Sequence, residues 1–161
     1  MKKRLEKEVK KFNLKVLIVS IVLVYLVAFI GSVFTSSETN SSWYQQVRPS
    51  ITPPNWVFPI VWNILFLLIG ISLYYAWISF KDKRAVIILF STNLILNVLW
   101  SYFYFKLHNA ALAFIDLIGI WLTLVILIYA TWKVSKKSAY LLMPYLLWIT
   151  FAGILNYLSI N

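Results

Sequence analysis

The sequence predicts an all-α membrane protein, a bundle of five transmembrane helices, and three observations carry that prediction. Apolar residues make up 61% of the 161-residue chain and charged residues only 12%, far from the balance of a soluble domain. The apolar residues gather into five runs, 14–34, 56–80, 85–105, 110–132 and 138–160. Each holds about 20 residues or more, enough at ~1.5 Å per residue to cross a hydrocarbon layer of ~30 Å. The third observation is where the cations fall. Of the fifteen Lys and Arg residues, all but Arg48 and Lys106 precede or open the first run or lie in the connections after the second and fourth.

By the positive-inside rule that distribution puts the N-terminus in the cytoplasm and the C-terminus outside. Residues 1–13 then form a basic cytoplasmic segment. Residues 14–161 form a single transmembrane domain with an external loop at 35–55. Topology accounts for the net charge of +10, so the charge is not read as a nucleic-acid footprint. Cysteine is absent, which excludes a disulfide framework and a thiolate metal site. The first run is too long for a secretory h-region and lacks a small-x-small cleavage site, so it is read as an uncleaved span.

Taken in order, the first span departs from aliphatic packing only at Tyr25, Gly31 and Ser32, and nothing in it suggests chemistry. A polar, turn-rich stretch, TSSETNSS, leads to Trp43 and Tyr44, which suit either an interfacial aromatic belt or the wall of a site. Pro49, Pro53 and Pro54 follow. Each lacks a backbone donor and biases its predecessor to extended geometry, so a stiff loop is expected here. Asn55 is the expected N-cap of the second helix, with Trp56 opening it. Pro59 would fall in the first turn, where a missing N–H costs little.

Trp62 lies about two turns into that helix, deeper than a belt tryptophan, with Phe66 a turn below on the same face. It either lines a cavity or faces lipid. In the third span Asn93, Asn97, Trp100, Ser101 and Tyr104 recur at intervals of three and four, a polar and aromatic stripe on an aliphatic helix. Amides facing lipid are costly, so the stripe meets either a neighbouring helix or a cavity. Asp116 is the acidic residue set well inside a span. A carboxyl there marks a functional site or a bond to another helix. The fifth span repeats Pro144, Trp148, Ala152 and Asn156 every fourth residue, all on one face. By depth, Trp62, Asn97, Trp100, Asp116 and Asn156 belong to the half nearest the proline loop that carries Arg48. An apolar pocket with a few convergent polar groups is the usual form of a ligand site.

Four segments, WYQQVRPSITPPNWVFPIVW at 43–62, NLILNVLWSYFYF at 93–105, ALAFID at 111–116 and LLMPYLLWITFAGILNY at 141–157, resemble the translocator protein family of tryptophan-rich sensory proteins, also called peripheral benzodiazepine receptors. Val47, Arg48 and Ile51 depart from the family's usual leucine, lysine and tryptophan. The resemblance implies a five-helix bundle, commonly a homodimer, that binds protoporphyrin IX and isoquinoline drugs beneath the first loop. By motif, Trp62 and Trp148 correspond to the pocket tryptophans, with Tyr44, Pro53, Asn97 and Ala152 lining the same space. Arg48, Trp100 and Asp116 complete the candidate ligand-binding set. The family's sterol motif ends in a basic residue; here LNY at 155–157 is followed by none, which removes that basis for sterol recognition.

The expected function is a membrane receptor or carrier for porphyrins and similar planar hydrophobic ligands, in tetrapyrrole sensing, regulation or transport. The alternative is light-dependent porphyrin degradation, with Trp62 and Trp148 as the participating residues. A third reading is a small membrane scaffold without a ligand. No conventional catalytic set is legible, no cofactor is required and no metal site is expected. With His108 and Met143 not an evident axial pair, a metal-free porphyrin suits the chain better than haem.

Overall fold

A computed structural model describes residues 12–36 and 38–160. The basic segment expected over 1–13 lies, apart from Phe12 and Asn13, outside the described residues. The helices are α1 (Leu14–Thr35), α2 (Ser42–Val47), α3 (Val57–Ser79), α4 (Lys83–Ser101), α5 (Ala110–Val134) and α6 (Lys136–Leu158). A π-helical turn, Tyr102–Lys106, prolongs α4. All but α2 are long and apolar enough to cross a bilayer, so the chain is a multi-pass membrane protein.

Most of the long helices start on a side-chain cap that satisfies an orphan amide. Asn13, Asp82, Asn109 and Ser135 accept from Val16, Arg84, Leu112 and Ser138 N–H respectively. The start of α3 corrects the expectation for Asn55. Trp56 occupies the cap position without a side-chain bond, and Val57 N–H is satisfied by Pro54 O at 2.9 Å. Pro59, in the first turn, brings no N–H to satisfy. Asn55 is thereby released for other work.

The spans close in the order α1, α3, α6, α5, α4 and back to α1. Val24, Leu65, Phe90, Leu124, Leu142 and Tyr145, from all five, meet in one buried core. Large aliphatic side chains such as Leu23, Ile88 and Ile126 remain exposed on the outside of the bundle, where acyl chains take the place of water. Gly70 brings α1 and α3 together backbone to backbone: a Cβ there would lie 3.0 Å from Ile21 Cα.

Polar side chains inside the bundle are spent on helix pairs. Ser72 and Ser138 share hydrogen bonds of 2.8–2.9 Å between α3 and α6. Asn93, 2% exposed, donates both amide protons across to α5, to Ile120 O and Thr123 Oγ1 at 2.9 Å. Asn93 is thus interhelical glue. Trp121 points its indole N–H at Thr150 Oγ1 of α6, 3.0 Å away.

Candidate ligand pocket

At the end of the bundle that carries α2, the four helices α1, α3, α4 and α6 part around a cavity of about 520 Å³ roofed by the segment before α3. That size falls in the usual range for small-molecule sites. From α3 come Phe58, Trp62 and Phe66; from α4 and its π turn Asn97, Trp100, Ser101 and Tyr104; from α6 Trp148, Ala152 and Asn156. The spacings read from the sequence, three and four residues, are those that align side chains on one helix face. Trp62 stacks on Phe66 with ring centroids 5.2 Å apart, and Phe58 meets Trp148 edge-on at 5.8 Å.

Several wall polar groups are held from behind. Asn97 donates to Tyr145 Oη at 3.2 Å. Trp100 Nε1 donates to Asn156 Oδ1 at 2.9 Å, and Asn156 Nδ2 donates in turn to Ala110 O at 2.8 Å. Tyr104 and Ser159 share a hydroxyl hydrogen bond of 2.9 Å. No Asp, Glu, Lys, Arg or His stands on the wall among the described residues. The cavity is apolar, aromatic and uncharged.

The roof is more ordered than a proline-rich loop predicts. Ser41 caps α2 by accepting from Tyr44 N–H at 3.2 Å, which turns Tyr44 inward, where it is 6% exposed. Burial raises the Tyr44 phenol above its ordinary pKa, against the opposing effect of the Arg48 charge, so the group is a neutral hydrogen-bonding phenol at physiological pH. Trp43 stacks on His108 at 4.5 Å, and His108 Nε2 lies 3.2 Å from Glu38 Oε2. These contacts pin the roof to the turn between α4 and α5. His108 holds φ 51°, the left-handed geometry that a tight interhelical turn needs and that His tolerates better than most side chains.

Of the residues expected at the site, Tyr44, Trp62, Asn97, Trp100, Trp148 and Ala152 stand on the wall together. Arg48, Pro53 and Asp116 do not. Arg48 ends α2, with its guanidinium carbon 5.9 Å from the centre of the Tyr44 ring. In the connector Pro49, Thr52 and Asn55, three residues apart, reach the wall and Pro53 does not. Asp116 is buried, yet α5 contributes nothing to this wall: in the ring, α5 neighbours α4 and α6, away from the opening. Asp116→Asn is therefore expected to change the affinity of a cavity ligand by less than about twofold in a binding titration, since its side chain does not reach the wall.

Sequence reasoning missed α1. Tyr25, Ala28, Gly31 and Thr35 line the cavity, and the signal for it was the departure of Tyr25, Gly31 and Ser32 from an otherwise aliphatic span. A second groove, about 380 Å³ between α5 and α6, holds none of the expected site residues.

Comparison with known proteins agrees with this architecture. The TspO/MBR family model matches residues 20–160. The tryptophan-rich protein TspO of Archaeoglobus fulgidus is 41% identical over 147 residues, 90% of this chain and 95% of the relative. That of Chlorobaculum tepidum is 38% identical over 136 residues, 81% and 85% of the two chains. The human translocator protein is 34% identical over 134 residues, 80% and 79%. With the match running from the first span to the last, this chain belongs to the TspO/MBR family.

Proposed function

We propose that the protein is a membrane receptor or carrier that holds a planar, hydrophobic tetrapyrrole, protoporphyrin IX or a close relative, in the cavity beneath the α2 roof. The observation that carries this reading is the wall itself: Trp62, Trp100 and Trp148 on three different helices around one uncharged space. Indole faces bury large areas against a flat ring and stack on it. Arg48, off the wall and beside Tyr44, is placed to meet a propionate outside the cavity. In this reading the N-terminus is cytoplasmic and the roof faces the other side, as the cation distribution suggests.

Titration of the purified protein with protoporphyrin IX in the dark, followed by tryptophan quenching, tests it. Saturable quenching that weakens about tenfold in the Trp62→Phe/Trp148→Phe variant is expected, the order that lost aromatic contact area gives. Quenching that never saturates and is alike in both proteins would mean partitioning into detergent or lipid. Illumination of the loaded protein then separates a carrier from a porphyrin-degrading enzyme: tetrapyrrole loss that depends on both tryptophans would favour the latter.

A further inference from the structure

Three residues that line the cavity each hold a buried hydrogen-bonding atom without a partner among the described residues: Thr52 Oγ1, Asn55 Oδ1 and Trp148 Nε1. The Asn97 and Asn156 Nδ2 groups and the Trp100 indole N–H, also on the wall, each have a partner on a neighbouring helix. The unsatisfied set is confined to the connector at 52–55 and to Trp148, and its chemistry is specific. An indole N–H only donates, a hydroxyl donates or accepts, and an amide oxygen only accepts. The orientation of Asn55 is fixed, because its Nδ2 donates to Thr39 O at 3.3 Å. Thr39 O also receives Gln45 Nε2 at 3.4 Å, which ties the Asn55 amide to α2 and leaves Oδ1 as the unpaired acceptor. Buried polar groups left this way cost free energy that a matching ligand recovers.

We propose that Thr52 and Asn55, acting with Trp148, select ligands whose edge is an uncharged lactam or secondary amide. The ligand carbonyl accepts from Trp148 Nε1–H or Thr52 O–H, and the ligand N–H donates to Asn55 Oδ1. A carboxylate meets half of this requirement at most. It offers no donor to Asn55, and it brings a charge onto a wall that has no countercharge. The inference rests on reading the cavity as a tetrapyrrole site and deepens that reading. A closed porphyrin turns its N–H groups toward its own centre, whereas an opened, linear tetrapyrrole presents terminal lactams at its edge. The site therefore favours opened over closed tetrapyrroles.

The test uses the full chain in detergent, in the dark, with two uncharged probes: biliverdin dimethyl ester, which has the lactams, and protoporphyrin IX dimethyl ester, which lacks them. The wild type is expected to bind the bilin ester about tenfold tighter, the order that one net hydrogen bond contributes. Thr52→Val and Asn55→Leu should each remove most of that preference, read as the ratio of the two ester affinities in the same variant, and Thr52→Ser should retain it. Equal affinity for the two esters, or a preference that survives both variants, overturns the proposal. If neither ester binds saturably, the tetrapyrrole reading has failed. Carbostyril, a neutral aromatic lactam, and its N-methyl derivative then decide the selectivity on their own. Weakening by N-methylation that disappears in Asn55→Leu supports the proposal; indifference to the methyl group overturns it.

Discussion

Replacing Trp62 and Trp148 together by alanine is expected to abolish measurable saturable binding of protoporphyrin IX. Both are partly buried on the wall, on the neighbouring helices α3 and α6. One face of an indole against a flat ring removes on the order of 100 Å² of apolar surface from solvent, about 2.5 kcal/mol at ~25 cal/mol/Å². Two such losses amount to about 5 kcal/mol, on the order of several thousandfold in dissociation constant. The measurement is a titration followed by the porphyrin's own absorption, since the variant has lost two of its reporters. A loss smaller than about tenfold would put the porphyrin somewhere other than between these rings. The phenylalanine variants keep a ring in place and should lose far less.

Asn156→Ala is the substitution within the bundle with the largest expected cost. Asn156 is 2% exposed and joins three helices, accepting from Trp100 of α4 and donating to Ala110 at the start of α5. Alanine leaves the indole N–H unpaired where water is scarce, takes the second donor from the Ala110 carbonyl, and removes packing volume besides. Interhelical hydrogen bonds in membranes contribute about 0.6 to 1.7 kcal/mol each, so the loss should reach about 2 to 3 kcal/mol. Thermal unfolding in detergent should show a fall of several degrees. The double-mutant cycle with Trp100→Phe should return a coupling of about 1 kcal/mol. Additive effects would mean that the Trp100 to Asn156 bond contributes nothing to stability.

The number of spans and their approximate limits were legible because length and hydropathy alone set them. The run expected at 56–80 is α3 at Val57–Ser79, and the run at 138–160 is α6 at Lys136–Leu158. The stripe Asn97, Trp100, Ser101 and Tyr104 could be placed on one face because helical periodicity is a local property. Direction around the bundle axis is not local. Asp116 has the right depth for the cavity, but α5 stands where none of its residues reach the wall, and no periodicity within α5 reveals that. The contribution of α1 was hidden for another reason. Ala28 and Gly31 shape the wall by being small, and in a sequence small apolar residues look like ordinary packing. In the connector, proline correctly announced a break from helix, but which residues turn inward, Thr52 and Asn55 and not Pro53, depends on where α2 ends. The helix α2 itself is too short to leave a periodic signature; it exists through the Ser41 cap and the burial of Tyr44.

The wide turn at Tyr102–Lys106 gives the chain's history a physical reading. A π turn holds one residue more than the α-helix it interrupts, so it behaves as a single-residue insertion retained in place. Removing one residue there, Phe103 for instance, would let α4 run on as regular helix without breaking the chain. Because the wide turn takes up that residue locally, everything beyond would keep its phase, whereas the same deletion in the regular part of α4 would rotate all that follows by about 100°, the turn one residue makes around a helix. The π turn is thus the place along α4 where the chain can change length while His108 keeps its stack on Trp43 and the roof its footing on the α4–α5 turn.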